Sequence, residues 1–256
     1  MANYKYEDII DSFKKLGLKK GDRVFTHSNL GFFGKCEDAK STSELCEKFF
    51  NAFREVIGEE GTLIVPTFTY SFCKKNNFDP VETDSSMGIF SEYVRKLPEA
   101  VRSLDANFSV AAVGRDAKFL TENMPEYSFG KNSFWDRFRN LDGKFLNLNF
   151  DSASTYIHYV ERELQVPYRW DKPFVGSLII DGELVNAKFY HFVYDLEKPN
   201  HVPNFSKFDN CAKTRGIAKT EFLGKGSVLT ITANETFDLI KEELEKDKSF
   251  LIKGEL

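Results

Sequence analysis

Thr155, His158 and Glu161 recur at intervals of three inside the segment Ser154-Thr155-Tyr156-Ile157-His158-Tyr159-Val160-Glu161. If a helix starts near Ser154 or Thr155, the imidazole and the carboxylate share a face in its first two turns. A carboxylate neighbour makes an imidazole more basic and fixes its orientation, which is what a general base at neutral pH requires. A His/Glu pair at this spacing also occurs as an ordinary solvated surface pair. What sets this one apart is that it follows a strand-like run, where layered α/β sheets build their sites. A second constellation, Thr26-His27-Ser28-Asn29-Leu30-Gly31-Phe32-Phe33-Gly34, follows the first strand-like run. Its glycines and small polar residues let a ligand approach the backbone, whose N–H groups can hold an acyl oxygen or a phosphate.

Other chemistry is poorly supported. The second loop is neither a Walker A loop nor G-x-G-x-x-G, and Gly224-Lys225-Gly226-Ser227 reads as a turn before the last strand. A serine hydrolase built on Ser28 and His158 would need an elbow such as G-x-S-x-G, which is absent. Cys36, Cys46, Cys73 and Cys211 show neither zinc nor C-x-x-C spacing, so they are expected to be small buried apolar residues in a reducing compartment, with no metal. His191 and His201 are read as structural or surface residues.

The elements that must position these residues alternate. Strand-like runs fall at Arg23–His27, Thr62–Phe68, Ser109–Val113, Lys144–Phe150 and Ser227–Thr232. Apolar residues at helical spacing predict helices over Tyr6–Leu16, Ser43–Ile57, Ile89–Leu97 and Ala233–Lys246, the last capped by Asn234. The pattern predicts a layered α/β/α sandwich with a central mixed sheet. Phe174–Ile180 and Glu183–Tyr190 flank Asp181-Gly182, a two-residue hairpin turn, and predict a smaller β-hairpin-containing subdomain over about 165–215 within a single domain of residues 1–256. Lys74–Met87 and Lys198–Asn210 read as surface loops.

Composition bounds the partners. Thirty-five Lys+Arg against 39 Asp+Glu give a net charge of −4 over 256 residues, which argues against nucleic acid. There is no long apolar run and no basic, apolar leader at MANYKYEDII, so a cytoplasmic protein without a membrane partner is expected. Monomer and homodimer are both compatible with the sequence. The 26 Phe are ample for a core and for lining a slot.

Taken in order, GD-x-V-x-x-HS-x-L-G, EEGTLIVPTF, FDP, SSMGIFSEYVRKLPEAVRS, SVAAVG, G-x-x-S and T-x-x-H-x-x-E resemble the aminoglycoside 3-N-acetyltransferase family, and ERELQVPYRW with its hairpin continues the likeness. The resemblance spans about Tyr6 to Leu244. It implies acyl transfer from coenzyme A, most simply from acetyl-CoA, to a primary amine of an aminoglycoside or another amino sugar, including a nucleotide-linked one. It also implies His158 as the base, Glu161 as its partner, and Thr155 Oγ or the N–H groups near Ser28 to Gly31 at the oxyanion. His27, Ser28, Asn29, Leu30 and Gly31 are expected near the pantetheine and thioester. Arg102 and Ser103, with Phe108 and Ser109 beyond them, complete the donor side. Tyr70, Asp79, Glu82 and Asp84 are expected on the acceptor side. The family follows Arg-Ser with x-His-Pro, where this chain has Leu104-Asp105-Ala106, and has Ser-Pro where this chain has Ser133-Phe134. Loss of that His-Pro pair leaves a lapsed acyl-CoA or sugar binder as the alternative to an enzyme, beside the serine acyl hydrolase.

Overall fold

The computed structural model describes residues 3–195, 197–198 and 201–254. Eleven strands are described: β1 (Asn3–Tyr4), β2 (Arg23–Phe25), β3 (Lys35–Cys36), β4 (Thr62–Pro66), β5 (Val101–Arg102), β6 (Val110–Gly114), β7 (Lys144–Leu148), β8 (Arg169–Ile180), β9 (Glu183–Tyr194), β10 (Lys219–Leu223) and β11 (Gly226–Thr232). The helices are α1 (Tyr6–Lys15), α2 (Thr42–Ile57), α3 (Ile89–Arg95), α4 (Ala117–Thr121), α5 (Phe134–Asn140), α6 (Tyr156–Glu163), α7 (Ser206–Thr214) and α8 (Ala233–Lys246).

Seven strands form one mixed sheet in the order β10-β11-β7-β2-β4-β6-β5. The central β7, β2 and β4 are parallel, while β11 and β6 run antiparallel on either side. Alternate residues of a strand point to opposite faces, and both faces are covered here. On β4, Leu63 and Val65 pack with Phe13, Phe49, Phe53 and Phe90 of α1, α2 and α3. Ile64 faces the other way, into a core built from Phe25, Phe145, Trp135, Tyr156 and Ile240. The sheet is thus the middle layer of an α/β/α sandwich.

The strands β8 and β9 form a separate two-stranded sheet, a 12-residue antiparallel ladder from Arg169↔Tyr194 to Ile180↔Glu183, with single bridges to the body at Leu178↔Phe78 and Tyr190↔Tyr127. Asp181 and Gly182 both have positive φ, as the two-residue turn demands. The ribbon is held to the body by Phe72, Phe78, Ala106, Leu178 and Phe189. It is longer than the sequence predicts because Arg169 to Pro173 and His191 to Tyr194, too polar and aromatic to read as strand, are paired all along their length. The expected subdomain also takes in residues that belong elsewhere: Phe208 and Ala212 of α7 are buried in the main core.

Three further expectations are corrected. Residues 206–210, read as loop from their Asn, Asp and Lys content, open α7, because Phe208 and Ala212 one turn apart find an apolar surface to cover. The cap of α8 is Thr232, which accepts from the Glu235 N–H while Glu235 bonds back to the Thr232 N–H; Asn234 instead bonds Asp142 and Arg139. Of the cysteines, Cys36 and Cys46 are buried but Cys73 is exposed.

Candidate active site

The strand order places one crevice above others. From β2 the chain proceeds to β4 and β6 on one side, whereas β7 leads to β11 and β10 on the other. Between β2 and β7 the order reverses, and open α/β sheets bind ligands outside the carboxyl ends of strands at such a point. The loop after β2 and the loop after β7 meet there, with Ser28 bridged to Leu148 and Asn149 Nδ2 donating to the Asn29 carbonyl at 2.9 Å. Asn29, Phe32, Asn149, Phe150, Lys225 and Ser227 line a cavity of about 510 Å³ at this position.

The loop after β7 leads into α6. Asp209 on α7 fixes this loop by accepting from Ser152 Oγ and, at 3.0 Å, from the Ala153 N–H. Thr155 stands at the start of α6 and its side chain makes no capping bond. One turn on, His158 Nδ1 lies 3.1 Å from Glu161 Oε2, and Glu161 is 0% exposed. Arg169 from β8 joins them: its Nε is 2.8 Å from Glu161 Oε2 and its Nη2 is 2.8 Å from His158 Nδ1. Burial pushes the imidazole below its ordinary value, the Arg169 charge pushes the same way, and Glu161 opposes both. The net direction is toward the uncharged imidazole, the form that a proton acceptor needs.

His158 opens onto a second cavity of about 500 Å³ whose walls are aromatic, among them Tyr70, Phe108, Phe129, Trp170, Phe174 and Tyr194. Lys172 and Arg169 line it together with Asp195 and Glu197, so that its cations and carboxylates are equal in number. His191 also lines this cleft, stacked on Phe174 with ring centroids 4.6 Å apart and 3.6 Å from Asp105 Oδ1. Burial works to raise the Asp105 carboxyl, but bonds from His191, Ser128 and the Phe108 N–H outweigh it and hold it low. The position at which the family carries the histidine of its His-Pro pair thus holds a carboxylate, and a histidine reaches it from β9. Sequence reasoning assigned His191 to structure because nothing along the chain links it to Asp105. The visible signal was the lost His-Pro pair itself.

The predicted site residues fall into three places. Thr155, His158, Glu161, Tyr70 and Phe108 belong to α6 and the aromatic cleft. His27 to Gly31 belong to the crevice between β2 and β7, where the Ser28 hydroxyl and His27 Nε2 are buried without a hydrogen-bond partner. Arg102, Ser103 and Ser109 are not brought to either. Arg102 spans the carbonyls of Pro80, Thr83 and Thr67 and lies over the Phe78 ring, Ser109 bonds the Thr67 carbonyl, and Ser103 caps the Val110 N–H. Burial, with Arg95 nearby, brings the Arg102 guanidinium down to about 10. Glu82 and Asp84 line a separate cavity with Arg95 and Arg102, Asp84 pairing with Arg95, while Asp79 holds the N–H groups of Val81 and Glu82. Among the described residues no group of three or more His, Cys, Asp or Glu is placed to hold a metal ion, and no helix is long and apolar enough to cross a membrane.

Comparison with known proteins bears on the family and the fold. The family model for aminoglycoside 3-N-acetyltransferase matches residues 25–245. The chain is 25% identical to aminoglycoside N(3)-acetyltransferase VII of Streptomyces paromomycinus over 91% of its own length and 90% of the relative's. It is 24% identical to aminoglycoside N(3)-acetyltransferase IV of a Salmonella species, covering 95% and 88%. Among solved structures, AAC-IIIb in a binary complex with CoASH superposes with a TM-score of 0.81 at 18% identity, covering 95% of this chain and 97% of that one. Aminoglycoside acetyltransferase AAC(3)-Xa gives 0.81 at 23% identity, covering 95% and 93%. The protein is an acyltransferase of the N-acetyl-transferring class. The chain belongs to the aminoglycoside 3-N-acetyltransferase family.

Proposed function

We propose that the protein transfers the acetyl group of acetyl-CoA to a primary amine of an amino sugar by direct attack on the thioester, with His158 as general base. The observation that carries this reading is the placement of His158 at the wall of an aromatic cleft, with the buried Glu161 behind its Nδ1. The acceptor near neutral pH is an ammonium. It loses a proton to His158 Nε2, and its lone pair then forms the N–C bond at the acyl carbon. The oxyanion is met by Thr155 Oγ, which no capping bond engages, and by N–H groups of the Ser28 to Gly31 loop. As the C–S bond breaks, the sulfur takes the proton from the imidazolium; the freed imidazole then accepts the second proton of the attacking nitrogen and passes it to solvent, leaving a neutral amide, coenzyme A thiol and one released proton. The donor is assigned to the crevice between β2 and β7, and the acceptor to the aromatic cleft. One structural neighbour is described as bound to CoASH and another, AAC-VIa, as bound to sisomicin, and both share this fold.

Aminoglycosides are the acceptors that the relatives' names give. A nucleotide-linked amino sugar is a second reading, favoured by the matched charges of the cleft and by the engagement of Asp79 and Asp84 with their own loop and Arg95, which leaves little free acid to grip a polycation. Thiol release from acetyl-CoA, measured against a panel of both acceptor types, decides between them. The same assay tests the base: His158→Ala is expected to lose roughly two to four orders of magnitude in turnover with an unchanged melting curve. Wild-type rates from a folded His158→Ala protein would refute the assignment, and release of thiol at equal rate without any amine would favour a hydrolase.

A further inference from the structure

His158 Nδ1 has two suitors that cannot both be satisfied. A neutral imidazole has one N–H and one lone pair. Donation from Nδ1 to Glu161 Oε2, 3.1 Å away, leaves the Nε2 lone pair facing the cleft. Donation from Arg169 Nη2, 2.8 Å away, uses the Nδ1 lone pair, so the proton sits on Nε2 and the ring cannot accept another from an ammonium. The second arrangement has the shorter contact. At the same time Glu161 Oε1 is buried with no partner, and Arg169 Nε faces Oε2 at 2.8 Å without making an aligned hydrogen bond. A guanidinium and a carboxylate pair best as two parallel N–H···O bonds. Turning Nη2 from His158 to Oε1 would complete that fork, satisfy the orphan oxygen and return Nδ1–H to Oε2.

We propose that Arg169 is a positioning residue with two seats: on His158 Nδ1, where it disarms the base, and on both oxygens of Glu161, where it releases the tautomer whose Nε2 takes the acceptor's proton. The guanidinium is well placed for a small swing, since it lies over the Tyr194 ring at 3.5 Å and is tethered through Nη1 to the Phe192 carbonyl. Seating depends on few other charges. Glu161 from α6 and Arg169 from β8 touch the imidazole. Tyr168 just before β8 and Tyr194 from β9 are phenols that burial keeps protonated; both stand close enough to Glu161 and Arg169 to feel their charges, although neither hydroxyl makes an aligned hydrogen bond. Lys172, His191, Asp195 and Glu197 line the same cleft, while Phe129 and Phe205, which also pack on the ring, carry no charge.

The inference rests on His158 being the base, and its test separates the two. Nitrogen-15 NMR of the imidazoles, with His158 identified among the four histidines by its loss in His158→Ala, reads the tautomer directly. The resting wild-type protein should carry the His158 proton on Nε2, and Arg169→Met should carry it on Nδ1. Without the guanidinium, Glu161 alone faces the ring, so the acid limb of the kcat/KM profile for Arg169→Met should move up by about one pH unit. Its deficit against wild type should be large at pH 6 and shrink toward pH 9, while Arg169→Lys, which keeps a charge, should hold the limb near its original place. A resting wild-type His158 already protonated on Nδ1 overturns the proposal, and that measurement stands even if Arg169→Met does not fold. So does a uniform loss across pH, which marks a merely structural arginine. If His158→Ala keeps its activity it is the base reading that fails, and the tautomer result still reports on Arg169.

Discussion

His27 shows how burial at one residue becomes a property of the whole chain. Its ring sits between Phe25 and Phe150, with centroids 5.1 and 5.8 Å away, its Nε2 has no partner, and burial brings its pKa from 6.5 down to about 4. The unfolded chain therefore binds a proton between pH 6.5 and 4 that the folded chain refuses, and stability falls as pH drops through that window. A gap of this size corresponds to about 3 kcal/mol. His27→Gln should remove that part of the slope: urea midpoints measured at pH 7 and pH 4 should converge on each other more in the variant than in wild type. Equal slopes would mean that His27 is protonated in the folded protein. The sequence marked His27 through its loop position and family likeness, and it marked His158 and Glu161 through helical spacing. It did not mark Arg169 and read His191 as structural or surface, because their partners lie 8 and 86 residues away and are met only through the ribbon. Arg102 and Ser109 were legible as residues but not in their use, since a polar side chain that binds a ligand and one that ties down a neighbouring loop look alike along a chain.

At the scale of elements, the ribbon β8–β9 delivers Arg169, Phe174 and His191 to the cleft, and one of the contacts that seat it is a close approach at Gly176. A Cβ placed on Gly176 would lie 2.6 Å from Phe72 Cδ1, inside contact distance. Phe72 has little room to retreat because it is packed against Phe189 and Phe78. Gly176→Ala should therefore cost about 1–3 kcal/mol, as overpacked sites do, and should raise the KM for the amine more than that for acetyl-CoA. Pairing it with Phe72→Leu should restore part of the loss. A double variant no better than the sum of the two singles would show that the ribbon is not held by this contact. The Asp181-Gly182 turn made the ribbon's existence legible. Its length was hidden because the half away from the turn carries Asp171, Lys172 and Pro173, residues that read as loop until the partner strand is known. In the same way α7 was hidden by its polar exposed side, and α8 was found because its apolar stripe runs over almost four turns.

At the scale of the molecule, period and composition gave the layers, since Leu63, Ile64 and Val65 in succession can be satisfied only by a sheet covered on both faces. They did not give the strand order, which is set by long-range pairing, and the strand order is what locates the crevice between β2 and β7. That location carries its own prediction. Phe32, Phe150 and Phe222 are 68, 46 and 82% exposed around this crevice, beside Lys225, which suits a ligand with an aromatic ring and phosphates. Because Phe32 is so exposed, Phe32→Asp should change the stability of the unliganded protein by no more than about 0.5 kcal/mol, while setting a carboxylate against an anionic donor. Acetyl-CoA at a hundred times its Kd should stabilise the wild type by about 2.7 kcal/mol. Each tenfold loss of affinity removes about 1.4 kcal/mol of that. Thermal melts with and without acetyl-CoA should therefore show a reduced ligand-induced shift for Phe32→Asp and a full shift for Glu82→Gln, which alters the distant cavity around Arg95 and Arg102. The opposite result, a full shift for Phe32→Asp and a reduced one for Glu82→Gln, would move the donor across the sheet to the loop before α3 and separate it from the crevice that the strand order creates.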